Sequence, residues 1–297
     1  MSSESRKLSQ SLTASQLVDL LGEPVLEIIG DSTVVVGSVA SLGEGAAGAL
    51  VFCKAKGMKA QGLIRASRAS VIIIGEEVEV QAIVGQCFLR TTDPARSYVR
   101  LLRTLFPKPL VAGKKFGPGV VIEDGAVIGA GCRIGAGTYI AACVTVGDHC
   151  EIGPNCSLGV EGLAVAYEDD GTPLPYPHIG SVLIGDRVRI GANCVVVRGI
   201  LENTRIGDDT QLGNQVNIGH NCVVGPKCWI STKALLCGSV TLAEGVMIGA
   251  AAILNNQIAV GRGANIGLGS VVTKSVLAGQ GVFGVPAKPL ATMRKFR

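Results

Sequence analysis

The most regular feature of this sequence is an aliphatic residue that recurs at every sixth position. The pattern begins near Phe116, breaks after Leu158, resumes at Ile184 and shifts phase once more before Ile206. The recurring residues are Ile122, Ile128, Ile134, Ile140, Val146, Ile152 and Leu158, then Ile184, Ile190 and Val196, then Ile206, Leu212, Ile218, Val224, Ile230, Leu236, Leu242, Ile248, Leu254, Val260, Ile266 and Val272. A period of six fits neither an α-helix nor the two-residue alternation of a flat sheet, and it is typical of a hexapeptide β-helix.

Two other positions of the hexad also keep their character. The residue after the aliphatic one is usually glycine, as at Gly129, Gly185 and Gly219, which suits a corner where a side chain would clash. The residue two before it is small or β-branched and should also point inward. Six of the ten cysteines occupy that slot, where a free thiol behaves as a compact hydrophobe: Cys132, Cys150, Cys156, Cys194, Cys222 and Cys228.

The first hundred residues lack the hexad and alternate helical and extended patterns. We expect an amphipathic helix over Leu12 to Leu21, with Thr13 or Ser15 near its start. Val71 to Ile74 reads as a buried strand, and Asp93 to Phe106 reads as a second helix that Lys108-Pro109 closes.

The predicted fold class is therefore mainly β: a left-handed parallel β-helix with an N-terminal α/β cap domain. We place the cap domain at residues 1–109, the β-helix at 110–284 and a short C-terminal tail at 285–297. Residues 159–183 interrupt the repeat with a polar, proline-rich loop, and a loop of that length in a compact protein is usually functional or disordered. In a rigid β-helix, we expect this loop to form a wall of a binding cleft.

Composition limits the function classes. The net charge of +4 is small and the basic residues are scattered, which argues against nucleic-acid binding. Met1 to Gln10 is polar, so we expect no signal peptide, and no apolar run approaches the roughly 20 residues of a membrane-spanning helix. We expect a soluble cytoplasmic protein.

Three histidines are the candidates for proton transfer. His149 follows Asp148 on an exposed part of its hexad and should be solvated. His178, in the long loop, either lines a site or is an ordinary loop residue. His220 comes two positions after the inward Ile218, so it should point outward near a corner among amide side chains. It is either a general base whose tautomer those amides fix or a solvated residue.

The run from Asn214 to Cys222, which reads N-Q-V-N-I-G-H-N-C, resembles the UDP-3-O-acylglucosamine N-acyltransferases of lipid A synthesis. The similarity extends over the cap domain, the β-helix and the interrupting loop. It implies that His220 is the catalytic base. Gly238, one coil further on, would supply a backbone N–H to the oxyanion. Expected substrate-binding residues are Phe52, Asn214, Gln215, Asn217, Asn221 and His178.

The resemblance implies a homotrimer that moves an acyl group from an acyl carrier protein thioester to the amine of a UDP-linked amino sugar, with no bound cofactor or metal. Departures from the family pattern leave the substrates open, and the following bear most directly on acceptor and donor. In the cap segment F-x-x-N-P-x-Y the chain keeps Phe52 but has Ala55 and Met58 at or near the other positions. The ending from Gly284 to Pro289 also resembles acetyltransferases that use coenzyme A, and a basic tail of Arg294, Lys295 and Arg297 contacts donor phosphates or is simply solvated. An acetyl-CoA-dependent N-acetyltransferase of another nucleotide-linked amino sugar is the alternative.

Two other functions, a zinc enzyme and a non-catalytic scaffold, fit the sequence less well. A zinc enzyme on this fold, the γ-type carbonic anhydrase, needs three converging histidines, and the chain has no H-x₄-H pair. A non-catalytic β-helix scaffold has no need for a cap domain, a long loop and an amide-flanked histidine together.

Overall fold

The computed structural model describes residues 7–22, 24–107, 115–286 and 288–289. The chain forms two compact units, Met1–Leu110 and Val111–Arg297. The predicted helix stop at Lys108-Pro109 and the basic residues Arg294, Lys295 and Arg297 lie outside the described residues.

The first unit is a six-stranded sheet with helices on both faces. The strands are β1 (Lys7–Thr13), β2 (Glu27–Gly30), β3 (Val35–Val39), β4 (Ala49–Phe52), β5 (Val71–Gly75) and β6 (Cys87–Thr91). The helices are α1 (Ala14–Leu21), α2 (Gly57–Ala66) and α3 (Pro94–Leu105), with a 3₁₀ turn at Leu42–Glu44. The spatial order of the strands is β1-β3-β4-β5-β6-β2, with parallel pairing from β3 to β6 and antiparallel pairing at both edges.

Strand β5 lies in the interior of the sheet, and its residues are apolar on both faces. Val71 and Ile73 pack into the core that holds α1 and α3, and Ile72 and Ile74 pack into the core that holds α2. A continuous apolar run is what a parallel strand covered on two sides requires. The predicted buried strand and the α/β character of this unit are confirmed.

The helix boundaries follow capping chemistry. Thr13 accepts a hydrogen bond from the backbone N–H of Gln16, and the Gln16 side chain accepts one from the N–H of Thr13, which completes a capping box. Helix α1 therefore begins at Ala14, and the expected start at Leu12 is wrong because Leu12 belongs to β1. Asp93 caps α3, as its Asp-Pro start predicted.

The second unit is a three-sided parallel β-helix. Its faces are a ten-stranded, an eight-stranded and a seven-stranded sheet. The ten-stranded face contains Lys115–Phe116, Arg133–Ile134, Glu151–Ile152, Arg189–Ile190, Gln211–Leu212, Trp229–Ile230, Met247–Ile248, Asn265–Ile266, Gly281–Phe283 and Lys288–Pro289. The eight-stranded face contains Val121–Ile122, Tyr139–Ile140, Ser157–Val160, Val195–Val197, Asn217–Ile218, Leu235–Leu236, Ile253–Leu254 and Val271–Val272. The seven-stranded face contains Val127–Ile128, Val144–Val146, Val182–Ile184, Thr204–Ile206, Val223–Val224, Thr241–Leu242 and Ala259–Val260.

Each coil stacks its inward aliphatic residue on the same position of the next coil. Ile134 pairs with Ile152, and Ile218 pairs with Leu236, so one coil corresponds to three hexads. All but the first of the recurring aliphatic residues, Ile122, are buried and belong to one continuous core. The predicted fold class, a left-handed parallel β-helix with an N-terminal α/β domain, is confirmed.

The corners explain the glycines and the cysteines. A Cβ on Gly219 would lie 2.8 Å from backbone atoms of the next coil, so a side chain there would clash. The six inward cysteines are buried as predicted. Burial raises the pKa of Cys150 and of Cys222 to about 12, which keeps both thiols protonated and inert.

Short side chains join the coils along one corner. The side chain of Asp148 accepts a hydrogen bond from the N–H of Ala130, and Asp186 and Asp208 repeat the contact on the following coils. Each carboxylate satisfies a corner N–H that no strand partner reaches. This ladder was not predicted.

The polar loop is an insertion into one coil. Val182 pairs with Val144, although a regular coil on the same face advances by 18 residues, as in Val223 with Thr241. Within the loop, Val165–Tyr167 and Pro173–Pro175 form an antiparallel hairpin. Among the described residues, no helix is both long enough and apolar enough to span a membrane.

Candidate functional site

His220 lies at the corner between the eight-stranded and seven-stranded faces. Asn217–Ile218 ends just before this corner and Val223–Val224 begins just after it. Asn221 turns the chain with a positive φ of 58°, a conformation that asparagine tolerates better than most residues. The inward positions of Ile218 and Cys222 leave the His220 ring half-buried on the outside, as the hexad phase predicted.

The tautomer of His220 follows from its neighbour. Nδ1 of His220 is 3.0 Å from Oδ1 of Asn221, and the same oxygen accepts the backbone N–H of Ile200 at 3.1 Å. An atom that accepts from a backbone N–H is the amide oxygen, so Nδ1 of His220 must donate to it. Nε2 is left with a free lone pair, which is the form a general base needs.

Gly238 lies directly against this ring on the next coil. A Cβ at Gly238 would come within 2.4 Å of both Nε2 and Cε1 of His220, so only glycine fits. Ser239 donates its N–H to the carbonyl of His220, which keeps the two corners in register. The N–H of Gly238 itself has no acceptor within the part of the chain that the structure describes.

His178 returns from the loop to the same corner. Its ring is 5.9 Å from that of His220, centroid to centroid, in an edge-to-face arrangement at 79°. It is only 3% exposed, and Nδ1 is 3.0 Å from the carbonyl oxygen of Tyr176. His178 is therefore a loop residue that is buried beside His220, and its predicted part in substrate binding stays a prediction.

A cavity of about 510 Å³ opens in front of His220. Its lining is mostly apolar, with Asn217 and Glu161 as the polar side chains other than His220 itself. The lining residues are Glu161, Gly162, Leu163, Val195, Val197, Asn217, Gly219, His220, Leu235, Leu236 and Cys237. A mostly apolar cavity with a few convergent polar groups is the usual form of a small-molecule site.

The sequence did not single out the apolar wall of this cavity. Val195, Asn217 and Leu235 are stacked outward positions of the eight-stranded face. The step from Val195 to Asn217 is longer than the 18 residues of a regular coil because extra residues bulge out between the strands. A fixed period of six therefore does not align the two positions. Leu163 and Glu161 come from the loop, whose path no periodicity predicts.

Two of the predicted substrate-binding residues are at a different corner. Asn214 and Gln215 lie between the ten-stranded and eight-stranded faces, one corner before His220. The side chain of Asn214 accepts the N–H of Ala192, in the manner of the aspartates described above. Gln215 occupies the turn with a φ of 61°. Neither lines the His220 cavity, whereas Asn217 lines it and Asn221 hydrogen-bonds His220.

Phe52 belongs to the first unit and stacks on a neighbouring ring. Its centroid is 4.7 Å from that of Tyr98, at an interplanar angle of 27°. A small cavity of about 150 Å³ lies beyond the carboxyl end of β4, lined in part by Lys54, Lys56 and Thr92. The carboxyl edge of parallel strands is where ligands of open α/β sheets bind.

No cluster of three or more histidine, cysteine, aspartate or glutamate residues with the arrangement of a metal site occurs among the described residues. His149 is exposed at the corner after Val144–Val146, away from the other two histidines along the coil.

Comparison with known proteins agrees with the resemblance drawn from the sequence. Residues 125–159 match the family model for bacterial transferase hexapeptide (six repeats), and residues 181–214 match that for the hexapeptide repeat of succinyl-transferase. A UDP-3-O-acylglucosamine N-acyltransferase of Maricaulis maris is 49% identical over 49 residues, or 16% of this chain and 14% of the relative. One of Bordetella avium is 31% identical over 79 residues, or 27% of this chain and 22% of the relative. These alignments thus cover less than a quarter of the relatives' length.

Among solved structures, a UDP-N-acetylglucosamine acyltransferase from Campylobacter jejuni superposes with a TM-score of 0.51 at 22% identity. The superposition covers 63% of this chain and 78% of that chain. At this level of identity the likeness establishes the shared β-helix fold.

Proposed function

We propose that this protein is an acyltransferase in which His220 acts as general base for acyl transfer to the amine of a nucleotide-linked sugar. The observation that carries the proposal is that Nε2 of His220 has a free lone pair and that Gly238, whose N–H has no acceptor among the described residues, packs against the same ring. A base and an oxyanion donor at one point are the two groups that acyl transfer from a thioester requires.

The reaction proceeds in two steps. The sugar amine attacks the thioester carbonyl carbon while Nε2 of His220 takes a proton from the amine. The carbonyl oxygen becomes an oxyanion, which accepts a hydrogen bond from the N–H of Gly238. The tetrahedral intermediate then collapses, the C–S bond breaks, and the imidazolium of His220 returns its proton to the leaving thiolate. The amide product and a free thiol leave the site.

The cavity supports a thioester donor with an apolar acyl chain. Leu163, Val195 and Leu235 form an apolar surface beside His220, and burial of methylene groups there is favourable by about 0.8 kcal/mol each. We propose an acyl carrier protein thioester as donor and a UDP-linked amino sugar as acceptor, in the manner of the named relatives. Asn217 is the cavity amide suited to hydrogen-bond the ligand.

The wider setting of the reaction is also proposed. The first unit binds the nucleotide of the acceptor at the carboxyl edge of its sheet, near Phe52. The β-helix assembles as a homotrimer, and the protein works in the cytoplasm. In that trimer, Asn214 and Gln215 contact the ligand that a neighbouring protomer's His220 holds.

A coenzyme A-dependent N-acetyltransferase is the second candidate. The segment from Gly284 to Pro289 favours it because this ending resembles that of simple hexapeptide acetyltransferases. The same His220 and Gly238 chemistry serves both donors.

The test is a product-mass assay on the purified protein with a panel of substrates. UDP-3-O-acylglucosamine and other nucleotide amino sugars are each paired with acyl carrier protein thioesters and with acetyl-CoA. We expect an increase of one long acyl group on the amino sugar with the carrier-protein donor. Acetyl transfer from coenzyme A alone would replace the first candidate by the second, and no transfer with any pair would refute both.

A further inference from the structure

His178 is a buried histidine whose ring nitrogens have unequal surroundings. Nδ1 lies 3.0 Å from the carbonyl oxygen of Tyr176, and a carbonyl only accepts, so Nδ1 carries the proton. Nε2 therefore presents a lone pair. It is fully buried and meets no hydrogen-bond donor anywhere in the described ranges. A buried acceptor without a donor is costly, and such groups in native proteins usually serve a purpose.

The lone pair lies just behind the wall of the His220 cavity. Nε2 of His178 is 3.2 Å from the point that a Cβ on Gly162 would occupy, and Cδ2 of His220 is 3.8 Å from the same point. Gly162 lines the cavity. Gly162 thus lies nearest to Cδ2 of the His220 ring, whereas Gly238 lies nearest to Cε1 and Nε2.

Few atoms of the chain separate this lone pair from the cavity. Gly162 has no side chain, and the next residue, Leu163, is 84% exposed. No backbone hydrogen bond holds Gly162 or Leu163 within the residues that the structure describes. Only the backbone of Gly162 therefore stands between Nε2 of His178 and the cavity at this point.

We propose that Nε2 of His178 accepts a hydrogen bond from an O–H or N–H group of the ligand in the cavity and so positions that ligand beside His220. The inference rests on the proposed function for the identity of the ligands. Two of them carry such donors: the amino sugar through its hydroxyls, and the pantetheine arm of the thioester through its amides. His178 is a positioning residue in this account because it does not touch the reacting atoms.

Two substitutions separate the hydrogen bond from the packing. His178→Phe keeps a flat ring against His220 and removes the lone pair, whereas His178→Gln supplies an amide oxygen near the position of Nε2. We expect the phenylalanine variant to raise KM by about tenfold for one substrate and not for the other, the size of effect that one lost hydrogen bond produces. We expect the glutamine variant to restore KM to within about threefold. The substrate whose KM changes identifies the donor.

Two kinetic outcomes would overturn the inference. One is a phenylalanine variant with unchanged KM for both substrates. The other is an equal fall in kcat in both variants with KM unaltered, which indicates a purely structural ring.

A direct measurement does not depend on turnover. In protein labelled with ¹⁵N-histidine there are only three imidazoles to assign, and His149→Gln removes one of them. UDP-N-acetylglucosamine and coenzyme A are added separately as probes. The inference predicts that the Nε2 resonance of His178 moves toward that of a hydrogen-bonded nitrogen with one probe. An unmoved resonance, when His220 responds to the same probe, contradicts it.

The two proposals fail in distinguishable ways. Turnover by the wild type together with a silent His178→Phe substitution refutes the role of His178 alone. A response of the His178 resonance without any turnover supports ligand binding at Nε2 and refutes the acyl-transfer function. Neither turnover nor a response to either probe refutes both.

Discussion

The conformation of Asn221 determines which nitrogen of His220 can act as a base. Its positive φ aims the side-chain oxygen at Nδ1, and the N–H of Ile200 fixes the amide orientation. The hexad phase predicted an outward His220 among amides. It could not predict the contact with Ile200, because Ile200 belongs to an irregular bulge between two strands.

Substitution of Asn221 tests this orientation. Asn221→Gly keeps the left-handed backbone and removes the acceptor of the Nδ1 proton, so we expect kcat to fall by about 10- to 100-fold with little change in KM. Asn221→Asp keeps both the conformation and the acceptor and is the matched control. Steady-state kinetics on both variants give the comparison. Equal activity of the glycine variant and the wild type would show that Asn221 does not orient the base.

The coil is the element that carries most of the fold, and its stability comes from stacking. Leu254 pairs with Leu236 below it and Val272 above it and is fully buried. Each coil buries its inward residues only when its neighbours are present, so a defect in one coil weakens the adjacent ones.

Truncation of one inward residue measures the stacking. Leu254→Ala should lower the free energy of unfolding by about 2–5 kcal/mol because it leaves a cavity in a packed core. Leu268→Ala, at a position 69% exposed, is the control and should change it by no more than about 0.5 kcal/mol. Urea titration followed by the fluorescence of Trp229, the single tryptophan, provides the measurement. A shift of similar size in both variants would contradict the assigned inward register.

The sequence was sufficient for the repeat and insufficient for the insertions. A strict period places inward residues such as Ile218 and Leu236 without further information. The length of the loop predicts a wall of the binding cleft. Because the loop has no period, the sequence does not predict the contact of His178 with His220 or the places of Glu161 and Leu163 in the cavity lining. Asn214 was grouped with His220 because it is near in sequence, but a corner of the β-helix separates the two side chains.

At the scale of the molecule, the chain divides into two compact units, each with its own hydrophobic packing. The β-helix unit contains His220, Gly238 and His178, and the first unit contains Phe52 and the small cavity at its sheet edge. The fold class was predictable from composition and periodicity, because few aromatics and many glycines suit a repeated coil. The hexad pattern does not predict the number of protomers. The proposed trimer rests on the resemblance to the UDP-3-O-acylglucosamine N-acyltransferases.

The proposed trimer makes a simple prediction about mass. Sedimentation equilibrium or light scattering should give about three times the 30.4 kDa of one chain, independent of concentration in the micromolar range. A monomeric mass over that range would remove the proposed contact of Asn214 and Gln215 with a neighbouring protomer's site, since no single chain brings them to its own His220.

The central claim is that His220 performs the proton transfer, and its most direct test is the acyl-transfer rate of His220→Ala. His149→Ala is the matched control, because His149 is exposed at a different β-helix corner, between the seven-stranded and ten-stranded faces, and does not line the cavity. We predict a loss of about 10²- to 10⁴-fold in kcat for His220→Ala, unchanged unfolding in urea, and a wild-type rate for His149→Ala. A His220→Ala protein that retains a rate within a few-fold of the wild type would contradict the account.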